Sequence, residues 1–319
     1  MGIGEILLNG YGRYFDGIGV EMERIAPYVP GDTFPYFFTM EIFQRALVSS
    51  ILVTVIAGLL GSYLLIRNLA LIGDGLAHVS FGAIAIGLVA PLAIGPYWYA
   101  LFFSIFAALC IYELQWREIL RGDASIAIFL TGSLALGLVS LRIWGAGITS
   151  DIHSYLFGNI LLIEWSEFDV IIWIFILVLV TLFFIHPILL ASTIDPLAAR
   201  VQGLPVRYVG WLFSALTAAV VVSMVQVVGT LLVTALLVTP AATAQFIGKS
   251  FRSCMIWTQF FGLSSVLLGV YLSAEYDTGS GSMIALVATC IFAFVAVLHT
   301  VSLAKYSKLS ILSGFPIRK

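Results

Sequence analysis

Asp74 and His78 set a carboxylate and an imidazole four positions apart inside an apolar run. On an α-helix, four positions amount to about 40° of rotation and one turn of rise, so the two side chains share a face. An oxygen and a nitrogen donor without a thiolate suit Zn²⁺, Mn²⁺ or Fe²⁺ and disfavour Cu⁺. Ionisable groups deep in an apolar helix are costly and mark ion or substrate pathways; the plainer reading is a pair that hydrogen-bonds neighbouring helices. With a helix starting near residue 69, His78 is expected roughly 13 Å along it, close to the middle of a bilayer. Gly73, Gly75, Gly82 and Gly87, with Ala77, Ala83 and Ala85, keep this helix slim, permitting close helix contact or backbone approach by an ion.

Other candidates are weaker. Asp151 and His153 fall in a long polar connection, where they could receive a metal at the mouth of a pathway; an exposed histidine is otherwise inert. Glu164 and Glu167 could draw cations to that mouth by their field or simply form a solvated rim. His186 precedes Pro187 at a helix end, a structural position for a cation, and His299 is expected at an interface. No HExxH motif supports an intramembrane zinc protease, and no GxxxxGK[ST] loop is present to bind ATP. If ATP drives this protein, a separate chain must bind it. Cys110, Cys254 and Cys290 lie in apolar runs without CxxC spacing and read as packing residues.

The elements that carry these residues follow from composition. Of 319 residues, 61% are hydrophobic and 10% charged, against roughly 45–50% and about 25% in soluble domains. Fifteen basic and seventeen acidic side chains cannot coat a globule of this size, whereas lipid tolerates apolar surface. An all-α polytopic helical membrane protein is the expectation. A net charge of −2 without a Lys/Arg cluster argues against a nucleic-acid partner. The first nine residues lack the basic region and apolar core of a cleavable signal peptide.

Taking about 20 apolar residues per crossing, spans are expected over 43–66, 69–90, 97–115, 122–141, 168–189, 209–228, 229–247, 254–272 and 280–303. That is about nine, with eight as the alternative. The stretch 209–247 would make a single helix about 58 Å long, so it is divided in two, with a turn near Gln226, Gly229 and Thr230. Arg67, Arg117, Arg121, Arg200, Arg207, Lys249, Arg252, Lys305, Lys308, Arg318 and Lys319 then share one side. Only Arg13, Arg24, Arg45 and Arg142 face the other. Cytoplasmic loops carry the basic excess, which places the C-terminus in the cytoplasm and, for an odd number of spans, the N-terminus outside. The division expected is an extracytoplasmic extension over 1–36, a transmembrane domain over 37–304 and a cytoplasmic tail over 305–319.

Two connections are long. In the outer one, 142–167, Tyr155 to Ile163 is apolar but too short to span and reads as a re-entrant or interfacial segment. The inner one, 191–207, carries signals of a short helix near 193–203 lying on the cytoplasmic face. Thr193 or Asp195 can cap it, Pro196 suits its first position, and Gly203 then Pro205 end it. A plain linking loop is the alternative.

Five segments in order give the chain a resemblance to the permease subunit of the ABC transporters that import zinc, manganese or iron. They are Phe43-Gln44-Arg45-Ala46-Leu47, then Leu71-Ile72-Gly73-Asp74-Gly75-Leu76-Ala77-His78, then Ser154-Tyr155-Leu156-Phe157-Gly158-Asn159-Ile160-Leu161. Asp195-Pro196 through Ala199-Arg200 to Gly203, and Val228-Gly229 through Val238-Thr239-Pro240-Ala241-Ala242-Thr243-Ala244, complete the set. The chain departs from the family pattern at His153, at Gly75 and Ala77, and in its N-terminal extension. The resemblance implies that Asp74 and His78 line the metal pathway. It also implies that Asp195, Pro196, Leu197, Ala198, Ala199, Arg200 and Gly203 form a helix coupling to a separate ATPase subunit. A homodimeric permease and an extracytoplasmic protein that delivers the ion are implied as well, with no tightly bound cofactor. Two ligands per chain are fewer than a zinc ion or a harder cation takes, and two chains about an axis would supply an Asp₂His₂ set. The competing reading is a secondary transporter in which the same pair exchanges protons against the metal. The segment 191–207 discriminates, since a secondary carrier needs no such helix.

Overall fold

The computed structural model describes residues 2–9, 17–89, 95–120, 122–144, 156, 158, 160–230 and 232–313. Among them no strand occurs, and eight helices are long and apolar enough to cross a membrane. Three short helices come first, α1 (Ile3–Asn9), α2 (Ile18–Ile25) and α3 (Tyr36–Thr39). The bundle then runs α4 (Glu41–Ile66), α5 (Ile72–Val89), α6 (Pro96–Trp116), α7 (Gly122–Trp144) and α8 (Trp165–Ile194). A short α9 (Pro196–Val201) precedes α10 (Val206–Val228), and two fragments, α11 (Val233–Leu237) and α12 (Thr239–Gln245), follow it. The last two long helices are α13 (Phe251–Glu275) and α14 (Ser280–Ser313).

Eight of the nine expected spans coincide with long helices; 229–247 does not. Proline lacks an N–H and clashes with the carbonyl four residues earlier, so Pro240 stops the helix and Val238 intervenes between the two fragments. Thirteen residues over Val233–Gln245 would reach only about 20 Å, short of the roughly 30 Å of a bilayer. The expected turn is present. Gly229 takes φ 80° and ψ 164°, a region open essentially to glycine alone. Gly229→Ala is therefore expected to cost about 1–3 kcal/mol, read as a lower midpoint in thermal unfolding of the purified protein. An unchanged midpoint would show that the turn relaxes freely.

The broken stretch still carries the chain across. α10 ends at the acidic side, where Gln226 Nε2 donates to Glu167 Oε1 at 3.1 Å. α13 starts at the basic side, where Phe251 packs on Tyr63 near the end of α4, and it returns to the acidic side at Glu275. Both helices thus run in the same direction, and what joins them must cross back. Odd parity, with the N-terminus on the acidic side, survives the loss of a ninth long helix. Irregular backbone at membrane depth is tolerated only inside protein. That condition holds at Leu237, whose carbonyl lies against Gly61 of α4, leaving no room there for a Cβ.

Lipid supplies little hydrophobic drive between helices, so small residues at the contacts hold the bundle together, and buried hydroxyls must find acceptors. In α4, Ser49, Ser50 and Thr54 donate to carbonyls four residues back at 2.7, 2.7 and 2.6 Å. Large apolar side chains such as Phe106, Phe183 and Phe184 face outward, where lipid meets them. The N-terminal segment packs on the acidic end. Glu275 of α13 accepts the backbone N–H groups of Asp32, Thr33 and Phe34, and Gln44 of α4 donates to the carbonyls of Gly19 and Phe38. Of the expected re-entrant segment, Tyr155, Phe157 and Asn159 lie outside the described residues, and Ile160–Leu162 forms one 3₁₀ turn.

Candidate functional site

Asp74 and His78 lie on one face of α5, with His78 Nε2 3.8 Å from Asp74 Oδ1. That is too long for a hydrogen bond, so neither donor is consumed by the other. His78 Nδ1 is buried and has no hydrogen-bond partner. The His78 side chain is 14% exposed and that of Asp74 36%, so the pair opens on the Asp74 side while His78 is recessed. No third His, Cys, Asp or Glu among the described residues joins them. Because α5 starts at Ile72, His78 lies about 9 Å along a helix some 27 Å long, nearer the basic end than the expected 13 Å.

The glycines explain how α5 is held. A Cβ at Gly82 would strike the backbone carbonyl of Ser133 in α7, and one at Gly137 in α7 would come 2.6 Å from Gly82 Cα. Gly75 receives Ile126 of α7, and Gly73 receives Leu237 of the broken stretch. The carboxylate–imidazole face is thereby flanked by α7 and by α11, whose Thr234 hydroxyl, like those of Thr230 and Ser80, is buried without a partner. These hydroxyls escape a sequence reading, because serine and threonine are common in such helices and burial is what distinguishes them.

At the basic end the predicted short helix is present. Asp195 caps α9, accepting from Leu197 N–H at 3.0 Å and Ala198 N–H at 2.9 Å, and Pro196 occupies the first turn. Thr193 is not the cap; its hydroxyl accepts from Arg67 Nε at 2.9 Å. Gly203 closes the helix at φ 78°, with Gly203 N–H bonded to Arg200 O and Leu204 N–H to Ala199 O. Those two bonds form a Schellman motif. Ala199 faces inward, the Arg200 guanidinium lies 3.9 Å over the Trp116 ring, and Leu197 and Val201 are 71% and 89% exposed. The capped helix thus presents two exposed apolar side chains at the basic end.

Behind α9 lies a cavity of about 510 Å³ lined in part by Arg67, Tyr112, Trp116, Thr193 and Arg200. Arg67 also donates to Ser192 Oγ and lies over the Phe213 ring, and burial pulls its pKa below the usual arginine value. Glu113 pairs with Arg117 at 2.7 Å and Arg207 at 2.6 Å, tying α6 to the start of α10. The sequence marks Arg67 only as a basic residue after a span; its partners are more than a hundred positions away.

At the acidic end, Glu164 and Glu167 form a capping box at the start of α8, so their first role is structural. Asp151 and His153 lie outside the described residues. His186 is not at a helix end as expected; it lies inside α8, where its Nδ1 meets Tyr63 OH. The helix does not stop at Pro187 but continues to Ile194, where Ser192 and Thr193 hold Arg67. His299 packs on Phe246.

A polytopic helical bundle with a two-donor face on a recessed helix and a short capped helix at its basic end has the architecture of a membrane transport permease. The chain belongs to the ABC 3 transport family, which it matches over residues 39–299. It is 34% identical over 253 residues to the manganese transport system membrane protein MntC of Halalkalibacterium halodurans, covering 78% of this chain and 85% of that protein. With the high-affinity zinc uptake system membrane protein ZnuB of Haemophilus influenzae it shares 29% identity over 252 residues, covering 79% and 95%. Among solved structures it is similar to PsaBC from Streptococcus pneumoniae in complex with Fab, with a TM-score of 0.72 and 28% identity, covering 82% of this chain and 93% of that one. The segment before residue 39 lies outside the family match.

Proposed function

We propose that this chain is the permease subunit of an ATP-driven importer of divalent manganese or zinc in the cytoplasmic membrane. The observation that carries the reading is the unpartnered, recessed imidazole of His78 beside the Asp74 carboxylate. The relatives named for manganese and zinc narrow the metals; iron, which the donor set also suits, has no counterpart in those names. Two copies of the chain bring their α5 faces together and offer an Asp₂His₂ set. A transported ion needs a site loose enough to leave, and donors of two subunits that can separate meet that need. A separate ATPase subunit docks on Leu197, Val201 and their neighbours on α9. A binding protein delivers the ion at the acidic side, with Asp151 and His153 at the mouth and the 1–36 extension beside it.

The test is uptake of ⁵⁴Mn or ⁶⁵Zn by vesicles holding the permease, its ATPase subunit and the loaded binding protein. Uptake that requires hydrolysable ATP is expected. Uptake driven by a proton gradient without ATP would replace this reading with a secondary transporter.

A further inference from the structure

A second cavity, of about 640 Å³, opens between α4, α8 and α13 in the basic half of the bundle, and neither Asp74, His78 nor α9 lines it. Leu59, Leu182 and Phe183 wall it, and Ser250 and Arg252 close its basic end. Tyr63 and His186 also reach it, but they bond to each other and leave the interior apolar. Phe183 and Phe184 beside it are 80% and 72% exposed, so the cavity faces the hydrocarbon that surrounds the bundle. An acyl chain suits an apolar groove that opens to lipid.

Charge decides which lipid. No Asp or Glu lines the cavity, and among the described residues no carboxylate lies within ion-pair distance of Arg252. Lys249, exposed and three positions earlier, just precedes α13 and adds a second cation at the same basic end. Basic pockets between helices on the cytoplasmic side suit phosphate head groups. We propose that this cavity is a site for an anionic phospholipid of the cytoplasmic leaflet, its acyl chain along Leu59, Leu182 and Phe183 and its phosphate on Arg252 and Lys249. The lipid would fasten together the basic ends of α4, α8 and α13, the last of which follows the broken crossing.

Native mass spectrometry of the full chain, released from bilayers of equal phosphatidylglycerol and phosphatidylcholine, tests this. The natural sequence is expected to retain phosphatidylglycerol preferentially. Arg252→Gln should lower that preference about fivefold, and Lys249→Gln with Arg252→Gln about twentyfold. Both side chains are exposed, so the variants keep the fold. Arg142→Gln, the same change on the opposite side, should leave the preference unchanged. Equal retention of the two lipids by the natural sequence, or a preference untouched by the double change, overturns the proposal. So does an intermolecular disulfide at Phe183→Cys in a background with Cys110, Cys254 and Cys290 changed to Ser, because a second copy would then cover the groove.

Discussion

Alanine at Asp74 or at His78 is expected to abolish metal uptake while leaving the permease folded and assembled. Each change removes one of the two donors proposed for each chain, and even partners in an outer shell are worth about 10–100-fold in metal affinity. A loss of at least about 100-fold is therefore expected. Stability should change little, because the pair is not hydrogen-bonded and His78 Nδ1 has no partner to lose. His78→Gln keeps size and polarity but supplies a poor ligand for these metals, and should be nearly as severe. The measurement is initial uptake normalised to membrane level. Normal uptake by both alanine variants at normal level would sink the assignment.

The second large effect lies at the other end of the mechanism. Leu197→Asp places a charge on a side chain that is 71% exposed, so the isolated permease loses almost no packing. A docked partner would have to desolvate that carboxylate, at several kcal/mol if left unpaired. Co-purification of the ATPase subunit should fall steeply while metal binding by the permease persists. Gly203→Pro strikes the same element through the backbone: Gly203 needs φ 78°, whereas proline fixes φ near −65° and has no N–H for the bond to Arg200 O. Gly203→Ala, with nothing near its Cβ, faces only a left-handed strain of about 1–2 kcal/mol and should be milder. A variant that loses metal binding yet still holds the ATPase subunit would contradict the division of labour.

What the sequence discloses follows the range of the physics involved. The Asp74–His78 face is legible because helical spacing places both residues whatever else the chain does. The short helix at the basic end is legible because Asp195, Pro196 and Gly203 act on their own neighbours. The stretch 229–247 shows the limit of hydropathy: its apolar content fits a crossing, but Pro240 breaks the helix, and only the common direction of α10 and α13 reveals that the chain still returns. Arg67 with Ser192 and Thr193, and Glu113 with Arg207, are brought together by the fold across about 90 to 130 positions, and no local pattern announces them. His78 lies nearer the basic end than its sequence position implies for a smaller reason, the start of α5 at Ile72 in place of 69.

On the proposed function, Asp74 and His78 of two chains hold the ion in transit. X-ray absorption at the metal edge of the assembled permease, loaded with Mn²⁺ or Zn²⁺, measures this directly when joined to the count of ions per chain. One ion per two chains is predicted, with imidazole and carboxylate scattering and no sulfur, and with both the ion and the imidazole signal lost in His78→Ala. One ion per chain, a sulfur ligand, or an unchanged spectrum in His78→Ala would contradict it.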